Sequence, residues 1–233
     1  MSFLHNVLSI VVTKIKGEQF ILDKNIPIGY LFSFFIQKAY CLIIGIFKLH
    51  RMGKYFIHPT TKIKCISKVR TGKNLNIDRR CYIDALSING INFGNNVSIG
   101  KNTTIECSGS LKNLGKGLTV GENVGLGTHG FFGCAGGIEI GDNTIFGNYV
   151  SLHSENHNYS DNTQPIRLQG INRKGVKIGD DCWIGAKVTI LDGTVLGNGC
   201  VVAAGAVVRG KFPENVIIGG VPAKIIKQRF NEL

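Results

Sequence analysis

Large aliphatic residues recur every six positions along the C-terminal part of the chain. From Ile178 the sequence divides into IGDDCW, IGAKVT, ILDGTV, LGNGCV, VAAGAV and VRGKFP. Each hexad opens on an aliphatic residue: Ile178, Ile184, Ile190, Leu196, Val202 and Val208. The fifth place of the first five is small or β-branched: Cys182, Val188, Thr194, Cys200 and Ala206. The same register holds upstream at Phe93, Ile99 and Ile105, at Val120 and Leu126, and at Ile140, Phe146 and Leu152. A weaker version runs through Ile57, Ile63, Val69 and Leu75. A period of six fits neither an amphipathic helix nor the alternation of a half-buried strand. It predicts a short strand and a tight corner repeated around a prism. The large residue fills the interior, and the small fifth residue fits where the corner narrows. Gly, Asn and Asp at places two to four supply the backbone conformations that corners need. One repeat cannot bury its apolar side alone, so stacked coils form the core. Six consecutive hexads in register argue against chance spacing in a globular sandwich.

Two stretches break the register. Residues 153–177 (HSENHNYSDNTQPIRLQGINRKGVK) form a long polar run, and a loop of that length inside a compact domain is usually functional. Residues 127–138 (GTHGFFGCAGGI) are irregular over a shorter span. Residues 1–55 differ in character. The run from Ile26 to Phe47 is strongly apolar but holds Gln37 and Lys38 near its middle. A central Lys opposes a membrane span by about 2.5–3.5 kcal/mol. The segment therefore predicts a helix that packs on the solenoid or lies at a membrane surface, with a true transmembrane span as the less favoured alternative. Residues 56–220 are expected to form the solenoid, and residues 221–233 a short basic C-terminal helix.

Composition narrows the choice. With 31 Gly, 5 Pro and 43% hydrophobic residues, the chain is neither collagen-like nor disordered. The net charge of +12 attracts an anionic partner. Nucleic acid, a phosphorylated cofactor, an acidic glycan and a membrane surface all answer to that charge. Nucleic acid has no further support, since no aromatic-basic platform is visible. Cysteines stand at 41, 65, 81, 107, 134, 182 and 200, an odd number without a CxxC pair, so neither a zinc site nor a disulfide framework is expected. A reducing cytoplasm, with peripheral contact at the inner membrane, is the expected location. Lys14 and Lys16 follow the first apolar stretch without a small-residue cleavage site, so no cleavable signal peptide is expected.

The segments IGDNTIFGNYVSLHSENHNYSD, IGDDCWIGAKVTILDGTVLGNGCVVAAGAVV and FPENVIIGGVPAKIIKQR resemble the hexapeptide-repeat acyltransferases. The likeness is to the maltose/galactoside and polysaccharide O-acetyltransferase branch in particular, and it covers the chain beyond its N-terminal segment. It implies an all-β solenoid, a left-handed parallel β-helix. It also implies acetyl-CoA as co-substrate, no metal, a carbohydrate acceptor, and a homotrimer with each site between two chains. The family's catalytic His falls at His157, with His153 as rival. Imidazole, the side chain that titrates nearest neutrality, can take a proton from a sugar hydroxyl. Trp183 matches the Trp-Ile-Gly step that lines the acyl channel, and Ala186 the main-chain N–H that meets the thioester oxyanion. Ala204 matches a place beside the pantetheine arm, and Arg209, Lys224 and Lys227 match contacts to the phosphates and adenosine end. Glu155 stands near enough in sequence to orient the imidazole, and His129 is a candidate for the acceptor pocket. The branch usually carries an acidic residue near Cys134 and Ala135, so a simple galactoside is in doubt.

Other readings compete. An amino-sugar N-acetyltransferase of the better-known bacterial kind would place a nucleotide-sugar-binding domain first, and no GxGxxG follows a strand here. A serine acetyltransferase would carry a large helical N-terminal domain. A non-catalytic scaffold, or a metal protein with His on adjacent coils, is the reading from another class. For each single residue the plain structural role also stands: a solvated His, a packed Trp, a surface Lys.

Overall fold

The computed structural model describes residues 21–230 together with residues 6, 9, 10 and 13. The rest of the N-terminal segment, including Lys14 and Lys16, lies outside the described residues, as do residues 231–233. The chain divides between Tyr40 and Cys41 into two compact units. A helix, α1, runs Ile28–Leu49, as the apolar run predicts. Its last turn joins the first coil. Leu49 shares the core with Tyr55 and Ile57, and Lys48 Nζ donates to the carbonyls of Pro59 and Thr61. Partial burial there lowers the Lys48 pKa from its ordinary value.

From Tyr55 the chain winds as the left-handed parallel β-helix that the hexads predict. Face 1 carries nine strands, from Tyr55–Ile57 to Ala223–Gln228. Faces 2 and 3 carry seven each, from Lys62–Lys64 to Val207–Val208 and from Val69–Thr71 to Lys211–Phe212. Leading residues of successive coils stack inside the prism. Ile184 pairs with Phe146 and Val202 on face 1, Ile190 with Leu152 and Val208 on face 2, and Ile178 with Ile140 and Leu196 on face 3. The fifth-place residues Cys182, Val188, Thr194, Cys200 and Ala206 are all buried. Truncating a residue such as Ile190, fully buried in this column, costs about 2–5 kcal/mol.

The first coil corrects the sequence register. Cys65, at φ 56°, and the 3₁₀ turn Ile66–Lys68 delay the chain by two residues. Thr71, not Val69, pairs with Phe93, and Ile77, not Leu75, pairs with Ile99. Val69 and Leu75 are buried all the same, because residues two apart on a strand share a face. Corners between faces 3 and 1 hold a ladder of asparagines at positive φ. Asn74 donates to Asn96, Asn96 to Asn123 and Asn123 to Asn143, at 2.9, 2.8 and 3.1 Å. Asn tolerates the left-handed backbone, and its amide continues the hydrogen-bond column.

The C-terminal segment is a strand rather than the expected helix. Ala223–Gln228 returns antiparallel across Val216–Gly220, with Gly219 opposite Lys224 and Ile217 opposite Lys227. Pairing the solenoid's last edge outweighs the local helical preference of AKIIKQ, and Ile225 and Ile226 suit a strand.

Candidate active site

Two insertions leave the prism. The loop predicted at 153–177 leaves after Ser151–His153 on face 2 and returns at Val176–Ile178 on face 3. A second, at 108–117, leaves between Thr104–Glu106 and Leu118–Val120. The irregularity expected over 127–138 is confined largely to its end, since Phe131–Gly133 is a regular face 2 strand. Cys134 and Ala135 are interior, at 0% and 5% exposure. Neither lines the cavity that holds His157.

His157 lies on the short strand Asn156–His157, which pairs antiparallel with Ile171–Asn172 at the base of the long loop. Its side chain is exposed into a cavity of about 300 Å³, lined also by Asn156, Asn158, Asn172, Lys174, Asp192 and Arg209. Asp192 is 2% exposed and clamps both ends of the loop. Its Oδ1 accepts from the N–H groups of Lys174 and Gly175 at 2.9 and 2.7 Å, and its Oδ2 accepts from Asn156 Nδ2 at 3.2 Å. These donors compensate the burial of the carboxylate.

Farther out, Arg173 ties the two insertions together. It donates to Glu155 at 3.0 Å and to the carbonyls of Leu114 and Asn113 at 3.0 and 3.2 Å. Glu155 is therefore held by Arg173, and among the described residues no hydrogen bond joins it to His157. The loop tip is knotted around Asp161, which accepts from Thr163 N and Oγ1 and from Gln164 Nε2. The Thr163 hydroxyl, then its N–H, then Gln164 lower the Asp161 carboxyl from its ordinary value. His153 sits at the end of its strand with its ring 5.5 Å from Phe131, outside the His157 cavity.

The other candidates occupy a different edge. Trp183 projects from face 1, 55% exposed, between Ile145 and Val201. Ala186 follows at the corner between faces 1 and 2. Two coils below, Thr128 donates its corner N–H to Asn148 Oδ1 at 3.1 Å. Ala204, one coil above Ala186, offers no such acceptor. The Ala186 N–H consequently has no hydrogen-bond partner among the described residues. Gly147 keeps the column tight, since a Cβ there would lie 2.5 Å from the Ala186 nitrogen. Ala204 is exposed at the same corner, and Lys224 pairs opposite Gly219 on the closing strand. His129 belongs to this corner as well. Its ring is stacked on Tyr149, and its nitrogens contact Asn102 Nδ2 at 2.8 Å and Thr128 Oγ1 at 3.1 Å.

The sequence candidates thus fall into two groups. Arg209 stands with His157 in one cavity, while Trp183, Ala186, Ala204 and Lys224 stand along face 1 and its corner, with Lys227 on the same closing strand. Sequence reasoning missed Asp192, Asn156, Lys174, Arg173 and the 108–117 insertion. One signal was available for the first: Asp192 is the one acidic residue inside the hexad ILDGTV, at a place facing a loop. Among the described residues no cluster of His, Cys, Asp or Glu has the arrangement of a metal site.

A left-handed parallel β-helix wound from hexads defines the class of hexapeptide transferases. The family model described as bacterial transferase hexapeptide (six repeats) matches residues 175–210. An Escherichia coli chain named for O-acetyl transfer in lipopolysaccharide biosynthesis, WbbJ, is 33% identical over 160 residues. The match covers 65% of this chain and 78% of that one. A Mycobacterium tuberculosis chain named as an acetyltransferase is 39% identical over 140 residues, 60% of this chain but only 44% of that relative's length. A solved mutant of AntD, an N-acyltransferase from Bacillus cereus in complex with dTDP and coenzyme A, shares the fold. It has a TM-score of 0.57 at 24% identity, covering 69% of this chain and 84% of that one. The chain belongs to the hexapeptide-repeat acyltransferase family.

Proposed function

We propose that the protein transfers an acetyl group from acetyl-CoA to a sugar hydroxyl of a surface polysaccharide or its precursor. The observation that carries this reading is His157, exposed in a polar cavity on a loop clamped at both ends. Acetyl-CoA supplies the thioester whose C–S bond is broken. His157 takes the proton from the acceptor hydroxyl as its oxygen bonds to the acyl carbon. The Ala186 N–H donates to the carbonyl oxygen as negative charge builds there, a role its missing partner leaves open. The imidazolium then returns the proton to the departing thiolate, so His157 ends neutral. Small, exposed Ala204 leaves room for the pantetheine arm, and Lys224 and Lys227 offer charge to the phosphates. His157 and Ala186 lie at different corners, so a complete site needs a second chain, which a homotrimer supplies.

Helix α1 supports peripheral contact with the inner membrane. Phe32, Ile36, Tyr40, Ile43 and Phe47 recur at spacings of four and three, and all are 52–71% exposed. The helix is long and apolar enough to span a bilayer by length and composition, but Gln37 and Lys38 interrupt it. An interfacial position suits such a helix, flanked in sequence by the basic Lys24, Arg51 and Lys54. Replacing Phe32, Ile36 and Phe47 with Gln should release the protein from anionic vesicles, and undiminished sedimentation with vesicles would end this part of the reading.

The reaction is tested by offering acetyl-CoA with neutral sugars, acidic oligosaccharides and amino sugars, then locating the acetyl group by NMR. An ester on an oligosaccharide supports the proposal. An amide formed at higher kcat/KM than any ester would replace it with N-transfer.

A further inference from the structure

A second cavity, of about 260 Å³, lies where the ends of both insertions meet face 3. Lys116 closes the 108–117 insertion, Lys174 closes the long loop, and Lys177 rises from the adjoining strand. All three line this cavity. Lys174 also lines the His157 cavity, so the two cavities adjoin at that residue. Among the described residues, neither Lys116 nor Lys174 has an ion-pair partner. Lys177 pairs at 2.9 Å with Glu139, the one acid lining the second cavity. An excess of positive charge is therefore concentrated beside His157, with Arg209 extending it on the other side.

The backbone under these cations is built rather than loose. Buried Asp192 holds the N–H groups of Lys174 and Gly175, so the backbone that carries Lys174 is fixed beside both cavities. Gly117, Gly136, Gly137 and Gly175 line the cavity, which leaves its floor largely free of side chains. Asn89 and Thr119 add neutral polar groups to the rim. A cleft with a bare floor, hydroxyl and amide donors and unpaired ammonium groups suits an acidic sugar ring.

We infer that this cavity is a subsite for a carboxylate-bearing sugar residue next to the one being acetylated, which makes the acceptor an acidic oligosaccharide. The inference rests on the O-transfer reading. While His157 serves the hydroxyl of one residue, the carboxylate of its neighbour lies among Lys116, Lys174 and Lys177. Phosphates of CoA share the same chemistry, and the experiment separates the two ligands.

The test uses the full chain, an oligosaccharide containing hexuronic acid, and the same oligosaccharide after reduction of its carboxyl groups. Binding is measured by calorimetry without acetyl-CoA, and transfer by release of CoA thiol. The acidic form should bind more tightly and have the higher kcat/KM. In Lys116→Ala/Lys177→Ala that preference should fall about tenfold, the scale of a lost charge-assisted hydrogen bond. The acetyl-CoA KM should stay within about twofold. Lys62→Ala, which removes one charge in the first coil, should retain the preference. Equal binding and equal kcat/KM for both forms would overturn the subsite while leaving O-transfer standing. A rise in acetyl-CoA KM in the double variant would assign the lysines to CoA instead. Lysine-dependent binding of the acidic form with no ester formed would sustain the subsite and sink O-transfer.

Discussion

Asp192 Oδ2 accepts a hydrogen bond from Asn156 Nδ2 at 3.2 Å, and Asn156 is the residue immediately before His157. This contact ties the loop that carries the proposed base to a strand corner of the solenoid. Asp192→Asn retains an oxygen for the Lys174 and Gly175 N–H groups but sets one amide NH₂ against another at Asn156. Asn156→Asp sets two carboxylates together. The double variant restores a donor and an acceptor in exchanged places. Each single change should lower kcat about tenfold through misplacement of His157, with acetyl-CoA KM unmoved. The double variant should recover most of the loss. Recovery of thermal stability without recovery of kcat would reduce the pair to a structural tie.

His157 and His153 are only four residues apart, yet their surroundings predict different behaviour. His157→Ala should lower kcat by about 10²–10⁴ while leaving the coil fold and CoA binding intact. His153 packs near Phe131 outside the cavity, so His153→Ala should retain most turnover. Single-turnover acetyl transfer with each variant decides the matter, and the opposite order would move the base to His153.

Asp161 gives the loop tip a pH response of definite sign. Its carboxyl is lowered below the ordinary 3.8 by the hydroxyl and N–H of Thr163 and by Gln164. A lowered folded-state pKa means that the ionised form is held more strongly in the native loop. Its contribution is fully present above the unfolded value and is lost as pH falls through the folded value. Hydrogen exchange of residues 161–169 should therefore be well protected at neutral pH and lose protection below pH 3.8, ahead of the coils. Asp161→Asn should show weak protection at all pH. An unchanged exchange profile in Asp161→Asn would exclude the knot as the source of loop order.

The solenoid was legible because its core obeys a local rule. Each leading residue, from Phe93 to Val208, declares its interior position by its spacing alone. The rule failed where a short insertion kept the chain apolar: the turn at Ile66–Lys68 shifts the register by two, and Val69 and Leu75 still look correct because both are buried. It also failed at Ala223–Gln228, where the free edge of Val216–Gly220, a tertiary feature, selects a strand. Within the site, residues with family signatures could be named but not grouped. The separation of His157 from Ala186 by a whole face is a property of the winding. The clamp through Asp192 joins positions 36 residues apart, and the bridge from Arg173 to Asn113 joins positions 60 apart. Neither leaves a local pattern.

That separation also yields a test of assembly. His157 stands on the loop between faces 2 and 3, whereas Ala186 and Ala204 stand at the corner between faces 1 and 2. If a site is made from the loop of one chain and the corner of the next, damage to the two halves can be carried by different chains. Ala204→Trp, at an exposed corner position, should block the pantetheine arm without disturbing the core. Separately, His157→Ala and Ala204→Trp should each be nearly inactive. Co-expressed and mixed at random in equal amounts, they should assemble trimers in which about one quarter of sites combine an intact loop with an intact corner. Activity should therefore return to about a quarter of the wild-type value, and dilution that dissociates the trimer should remove it. An intrachain site would keep one damaged half in every chain, so no mixture would restore it. A purified mixed trimer with no activity above the separate variants would place His157 and Ala204 in the same chain's site or in no common site.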